Sequence, residues 1–199
     1  MSIEQKIEQM YKALEEMQIT EKLPSVKPEI KPTAVSVSFS YDFSKGADAA
    51  TAANRVSQLV ANIACLKDHL KVWCNRQNKP FAGDTLIDSN MEVAIVHDLW
   101  NLDKHAELNR PSRSGLSPRL ENPPRSTMVL KGEPGKPSPD FFIPIGGSGG
   151  PIQTNAGASL RIVANVVDKD GNRIGNLEDI CEKAVTAWGT EFKKVGLLF

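Results

Sequence analysis

The sequence lacks a surplus of charge of either sign, since its 199 residues hold 24 Lys and Arg against 24 Asp and Glu. Proteins that coat nucleic acid or a membrane surface usually carry a basic surplus, so any such binding has to come from a local patch. The chain also lacks a run of about 18 apolar residues, the length that a membrane span requires. These two absences predict a globular protein that does not bind or cross a membrane.

Cysteine is scarce as well, with only Cys65, Cys74 and Cys181 and no CxxC pair. An odd number without such a pair argues against a disulfide framework or a zinc site and is typical of reduced thiols. The first ten residues, MSIEQKIEQM, are charged and amphipathic and lack the apolar centre of a signal peptide. We therefore expect a cytoplasmic protein without a metal or another cofactor.

Residues 1–33 are predicted to form an arm made of a helix and a proline-rich linker. Apolar side chains recur there in steps of four and three, at Ile3, Ile7, Met10, Leu14 and Met17. Such a narrow stripe indicates a helix that is too short to stand alone as a coiled coil. It must be covered either by the rest of the chain or by a partner protein or second copy. Pro24, Pro28 and Pro32 then favour an extended linker.

Residues 34–199 are predicted to form a single α+β domain. Helices are expected over 47–75 and 85–108, as an antiparallel hairpin, and from a cap at Asn176 to Gly196. The alternating segment AVSVSFSYDF, residues 34–43, is typical of a strand with one covered face. With residues 126–131, 159–167 and 172–175 it would form a small, mostly antiparallel sheet, and Asp170-Gly171 is typical of a hairpin turn.

Long loops rich in Pro, Gly and Ser are predicted between residues 109 and 158. Within residues 110–125 four arginines lie in one loop with only Glu121 against them: Arg110, Arg113, Arg119 and Arg125. Arginine in such a loop can clamp phosphates, which would make this segment a binding site for a nucleic-acid substrate. The same charges can also simply be solvated, and the sequence leaves both interpretations open.

The segment HDLWNLDKH, residues 97–105, carries the densest group of reactive side chains. At about 100° of rotation per residue, one arc of a helix would hold His97, Asp98, Asn101, Lys104 and His105. One interpretation is a polar network that fixes helix packing. Another is metal-free acid–base catalysis, with His97 and His105 moving protons while Asn101 and Lys104 contact a phosphate or carbonyl. A metal site is a third, though Asn101 is a poor ligand for transition metals.

A helical hairpin carrying the motif N-x-x-K-H, residues 101–105, resembles the HEPN superfamily of bacterial defence and toxin ribonucleases. The resemblance spans residues 47–108 and implies cleavage of RNA. The family's signature places a His four to six positions after an Arg, and no such His follows Arg55, Arg76 or Arg110. No catalytic residue is therefore carried over from the family.

Two functions follow from these patterns. The first is a cytoplasmic interaction or assembly protein that docks through its N-terminal helix. The alternative is a metal-independent, ribonuclease-like enzyme that processes nucleic acids or nucleotides with His97, Asn101, Lys104 and His105.

Overall fold

The computed structural model describes residues 1–19, 25–26, 31–32, 37–38, 41–42, 47–105, 111–121, 124–131, 141–142, 150–151, 153–154 and 157–197. These residues form an α+β fold, as predicted. Its helices are α1 (Ile3–Glu15), α2 (Ala47–Ala64), α3 (Leu66–Gln77), α4 (Gly83–Ser89), α5 (Met91–His105) and α6 (Leu177–Val195). Among these described residues, no helix combines the length and the apolar character that crossing a membrane would need.

The strands pair in antiparallel fashion throughout the described part of the chain. They are β1 (Gln18–Ile19), β2 (Ser25–Val26), β3 (Lys31–Pro32), β4 (Val37–Ser38), β5 (Tyr41–Asp42), β6 (Arg119–Leu120), β7 (Arg125–Lys131), β8 (Phe141–Phe142), β9 (Gly150–Pro151), β10 (Gln153–Thr154), β11 (Gly157–Val163), β12 (Asn165–Val167) and β13 (Arg173–Asn176). One sheet has the order β1-β11-β7-β5 and another has the order β13-β12-β6. The remaining pairs are β10-β8, β2-β9 and β3-β4.

The strand predicted over 159–167 is divided between two sheets. It breaks at Ala164, whose carbonyl accepts the backbone N–H of Leu177 at 2.8 Å instead of joining a strand ladder. The predicted turn follows β12, where the Asp168 carboxylate accepts the backbone N–H groups of Asp170 and Asn172. Of the strand predicted over 34–43, only Val37–Ser38 and Tyr41–Asp42 are described as strand, and the rest lies outside the described residues.

Both long helices of the predicted hairpin are interrupted. The first bends at Cys65, between α2 and α3, and the second is broken between α4 and α5 at Asn90. Asn90 adopts an extended backbone conformation, and its side-chain oxygen accepts the N–H of Val93 at 3.0 Å. This bond caps a new helix, which explains why the helix predicted over 85–108 is interrupted, and residues 106–108 of that prediction lie outside the described residues. The motif at 97–105 nevertheless stays on a single helix, α5.

The described core lies mainly between the helices, and Ile162 of β11 and Val166 of β12 contribute to it from the sheets. Along α2 and α3, apolar side chains spaced three and four residues apart are buried at Val56, Leu59, Ile63, Leu66 and Leu70. On α6 the buried face includes Leu177, Cys181, Ala184, Trp188 and Phe192, and Asn176 and Gly196 cap that helix as predicted. Each fully buried large apolar side chain contributes about 1.5–3 kcal/mol to folding.

The N-terminal helix packs on this same core, and most of the linker predicted after it lies outside the described residues. Ile3, Ile7, Met10 and Met17 are each at most 3% exposed and belong to the common core. Lys6 Nζ donates a 2.7 Å hydrogen bond to Asn62 Oδ1 on α2. The stripe therefore finds its cover within the chain, the other arrangement that the sequence allowed.

Candidate functional site

The four candidate catalytic residues on α5 do not converge on one point. His97 is half-buried, and its Nδ1 lies 2.9 Å from Asn101 Nδ2, one turn along the helix. Lys104 and His105 are exposed in the last turn. Eight residues separate the two histidines, which corresponds to about 12 Å along the helix axis. A general base and a general acid must each be within hydrogen-bond reach of the group they serve, and this separation is long for a single phosphate.

Asp98 is a polar residue of this motif whose carboxylate is surrounded by several hydrogen-bond donors. Its side chain is buried and accepts hydrogen bonds from Ser112 Oγ at 2.7 Å, Arg113 N at 3.0 Å, Ser114 N at 2.9 Å and Ser114 Oγ at 2.8 Å. We call these four residues the Asp98 clasp. Its donors come from the Arg-rich loop, so part of the polar arc on α5 is satisfied by a structural contact within the chain.

Arg113 connects the same loop to α4 through ion pairs. Its guanidinium forms an ion pair with Asp88 at 3.0 Å and lies 3.8 Å from Asp84, which Lys67 contacts at 2.7 Å. The hydrogen bond and charge of Lys67, with the charge of Arg113, lower the pKa of Asp84 despite its partial burial. Of the other candidate phosphate ligands, Arg119 is exposed on β6, Arg125 lies on β7 and Arg110 lies outside the described residues.

Metal and thiol chemistry find little support in the described part of the chain. No three His, Cys, Asp or Glu side chains there are arranged to hold a metal ion. The cysteines are free thiols, and burial raises the pKa of Cys74 and of Cys181, which disfavours the nucleophilic thiolate form.

An open groove between α1 and α6 has the form of a binding site. Its volume is about 560 Å³, within the range of about 300–1,000 Å³ that is usual for ligand sites. The side chains that line it come from three places: Ile7, Tyr11 and Leu14 on α1; Glu182, Val185, Thr186, Gly189, Thr190, Phe192 and Lys193 on α6; and Leu197 beyond it. We call this feature the α1–α6 groove.

The groove has a buried apolar floor and an exposed rim. Val185, Phe192 and Leu197 are buried, whereas Tyr11, on the opposite wall, is 50% exposed. A large aromatic side chain held half in water beside an apolar surface is typical of an interface position. Tyr11 lies outside the apolar stripe of α1. An aromatic residue outside the buried stripe of a helix is the sequence signal that could have indicated Tyr11 as an interface residue.

The α6 wall consists of small side chains between two charges. Thr186 Oγ1 donates to the carbonyl of Glu182 at 2.9 Å, and Thr190 Oγ1 donates to the carbonyl of Thr186 at 3.2 Å. Gly189 lies between the two threonines along the helix, and a Cβ atom built there would meet no atom of the residues that the structure describes within 4 Å. These residues carry no chemistry of their own, so a search of the sequence for reactive groups does not select them.

Comparisons of the chain with protein-family models, with characterised proteins and with solved structures find no match in any of the three. The resemblance of the N-x-x-K-H motif to HEPN proteins therefore stays a prediction, and function is inferred from the chain's own residues.

Proposed function

We propose that this chain is a cytoplasmic interaction protein, and that the α1–α6 groove is its docking surface. The observation that carries this proposal is the half-exposed Tyr11 above an apolar floor of buried side chains. Two residues of the predicted docking stripe, Ile7 and Leu14, also line the groove. The N-terminal helix thus contributes one wall of the surface while the rest of its stripe remains in the core.

The composition of the groove favours binding over catalysis. Among the described residues that line it, the ionisable side chains besides the Tyr11 phenol are Glu182 and Lys193, eleven positions apart on α6. That spacing corresponds to about 16 Å along the helix axis, so the two cannot act together on one bond. An apolar floor with a polar rim is instead the usual arrangement of a protein–protein contact.

The dimensions of the groove suit a helix as the bound element. About 16 Å along the axis matches about three helical turns. Amphipathic helices bind such grooves by inserting apolar side chains spaced three and four residues apart. We therefore propose that the groove receives a helix from another polypeptide.

A photo-crosslinking experiment tests this function. Tyr11 is replaced by p-benzoylphenylalanine, which keeps an aromatic ring at the rim, and cells that natively produce the protein are irradiated. We expect one discrete adduct with a second polypeptide. Thr186→Trp should abolish the adduct, since Thr186 is exposed on the groove wall and the larger side chain would fill the groove.

The matched control places the same crosslinker at Val72, which is 49% exposed on α3 and outside the groove. Val72 should give no discrete adduct. Equal adducts from both positions, or a Tyr11 adduct that survives Thr186→Trp, would contradict docking in the groove.

The alternative function, metal-independent cleavage of RNA by His97, Asn101, Lys104 and His105, draws less support from the geometry because the two imidazoles are far apart along α5. Purified protein incubated with single-stranded RNA in EDTA separates the two functions. We expect no cleavage that depends on His105. Cleavage that is lost in His105→Ala would reverse our preference.

A further inference from the structure

The exposed face of α6 is the starting point for identifying what fills the groove. Along this face lie Glu182, Thr186, Gly189, Thr190 and Lys193. The hydroxyl groups of both threonines already donate to carbonyls of their own helix. Covering these side chains would therefore leave no hydroxyl proton without a partner, which removes the main penalty for burying them.

Contacts within the described part of the chain do not explain Gly189. It lies within α6, where glycine is about 1 kcal/mol less favourable than alanine. Its φ is not positive, and a Cβ atom there would meet nothing within 4 Å. A glycine without an internal requirement is explained if another backbone or side chain approaches this point closely from outside.

The charges at the two ends of the face have opposite signs. Within the described residues, Glu182 and Lys193 have no ion-pair partner, whereas the neighbouring Lys183 and Lys194 pair with Glu92 and Glu191. A helix that carries a negative end and a positive end is complementary to a second copy of itself in the antiparallel orientation. A parallel copy would place like charges together.

We propose that the occupant of the α1–α6 groove is α6 of a second copy of this chain, packed antiparallel about a two-fold axis. The register that sets Glu182 of each copy against Lys193 of the other also sets Thr186 against Gly189. The threonine side chain then fills the open space over the glycine, twice in one symmetric interface. Tyr11 and Leu14 would cover the flank of the incoming helix.

This inference rests on the proposed docking function and specifies its partner. The test uses the full chain and its mass in solution, measured by sedimentation and light scattering across a range of concentrations. The wild-type protein should reach twice the mass of the 21.7 kDa chain. Glu182→Lys and Lys193→Glu, each alone, place like charges in contact, and each should weaken self-association about tenfold or more.

Combining the two charge changes distinguishes this interface from a non-specific one. An equimolar mixture of Glu182→Lys with Lys193→Glu should form a heterodimer, because both ion pairs are then attractive again. The double variant Glu182→Lys/Lys193→Glu should likewise regain the wild-type association. Circular dichroism of each variant checks that the fold is retained, which we expect because both side chains are exposed.

Two results would overturn the inference. One is a wild-type chain that stays monomeric up to its solubility limit. The other is a dimer that is unaffected by both single charge changes, which would place the contact elsewhere. In either case a Tyr11 adduct with a different polypeptide would leave the docking function intact, while the absence of any adduct would remove that function too.

Discussion

Asp98 and Gly189 lie on helices that pack against each other, yet their surroundings differ in kind. Asp98 is an acid among reactive neighbours in the sequence, and the fold supplies it with four hydrogen-bond donors from the loop at residues 112–114. Gly189 has no reactive neighbour, and the fold leaves open space above it. The contrast shows that a titratable residue in a reactive cluster can be engaged in hydrogen bonds within the fold. A surface that stays uncovered can instead consist of small and neutral residues.

The largest expected effect tests the structural role of the Asp98 clasp. Asp98→Ala leaves the hydroxyl and backbone donors of the loop without an acceptor, and we expect a loss of about 3–5 kcal/mol in the free energy of unfolding. Urea denaturation followed by circular dichroism measures this change. The control is Asp103→Ala, an exposed position on the same helix, where we expect a change within about 0.5 kcal/mol. Equal effects at both positions would show that the clasp does not stabilise the fold.

The next effect concerns the helix that forms one wall of the groove. Met10 is 1% exposed, and Met10→Ala should lower the free energy of unfolding by about 2–4 kcal/mol because it leaves a cavity in the core. Lys12→Ala, at an exposed position of the same helix, is the matched control. A detachable arm would show no difference between the two variants in thermal unfolding.

The sequence predicts some features of the fold and misses others. Periodicity locates the buried faces of α2, α3 and α6, because those faces follow from local spacing alone. The break at Asn90 is missed, since the apolar pattern continues across it and only the bond from Val93 starts the new helix. The clasp is missed for another reason: its donors come from a loop 14–16 positions further along the chain.

Gly189 within α6 and Gly196, the C-cap that follows this helix, should respond to replacement by alanine with opposite changes in the free energy of unfolding. Gly189→Ala should raise the free energy of unfolding of the monomer by about 0.5–1 kcal/mol, because alanine is the better helix former. Gly196 has a φ of 84°. Gly196→Ala should lower the free energy of unfolding by about 1 kcal/mol, because the left-handed conformation strains a Cβ atom. Denaturant titration at low protein concentration compares them. Stabilisation by Gly189→Ala together with weaker self-association would assign this glycine to the interface, whereas destabilisation would assign it to the fold.

The smallest effect is a dependence on pH at the contact between α1 and α3. Burial, the Lys6 ammonium and the N-terminal amine lower the pKa of His69 below its ordinary value of 6.5, while Asp68 opposes them. The unfolded chain therefore binds a proton more readily than the folded one. Stability is full above the unfolded pKa and falls as the pH drops from about 6.5 through the lower folded pKa.

Thermal unfolding measured between pH 7.5 and pH 5, a range that brackets the ordinary pKa of about 6.5, tests this sign. His69→Gln should reduce the loss of stability on acidification, and Asp68→Asn should increase it. An unchanged profile in His69→Gln would exclude this histidine as a source of the dependence.

The sequence by itself determined the class of fold, the caps of α6 at Asn176 and Gly196, the turn after β12 and the apolar faces that form the core. Each of these depends on residues a few positions apart, whose spacing and backbone preferences act locally. Only the tertiary structure decided that the N-terminal stripe is covered by the chain itself and that Asp98 accepts hydrogen bonds from the loop at residues 112–114. The tertiary structure also decided that Tyr11 and Gly189 line one groove. These contacts join segments that are far apart in the sequence, and local spacing does not predict which distant segments meet.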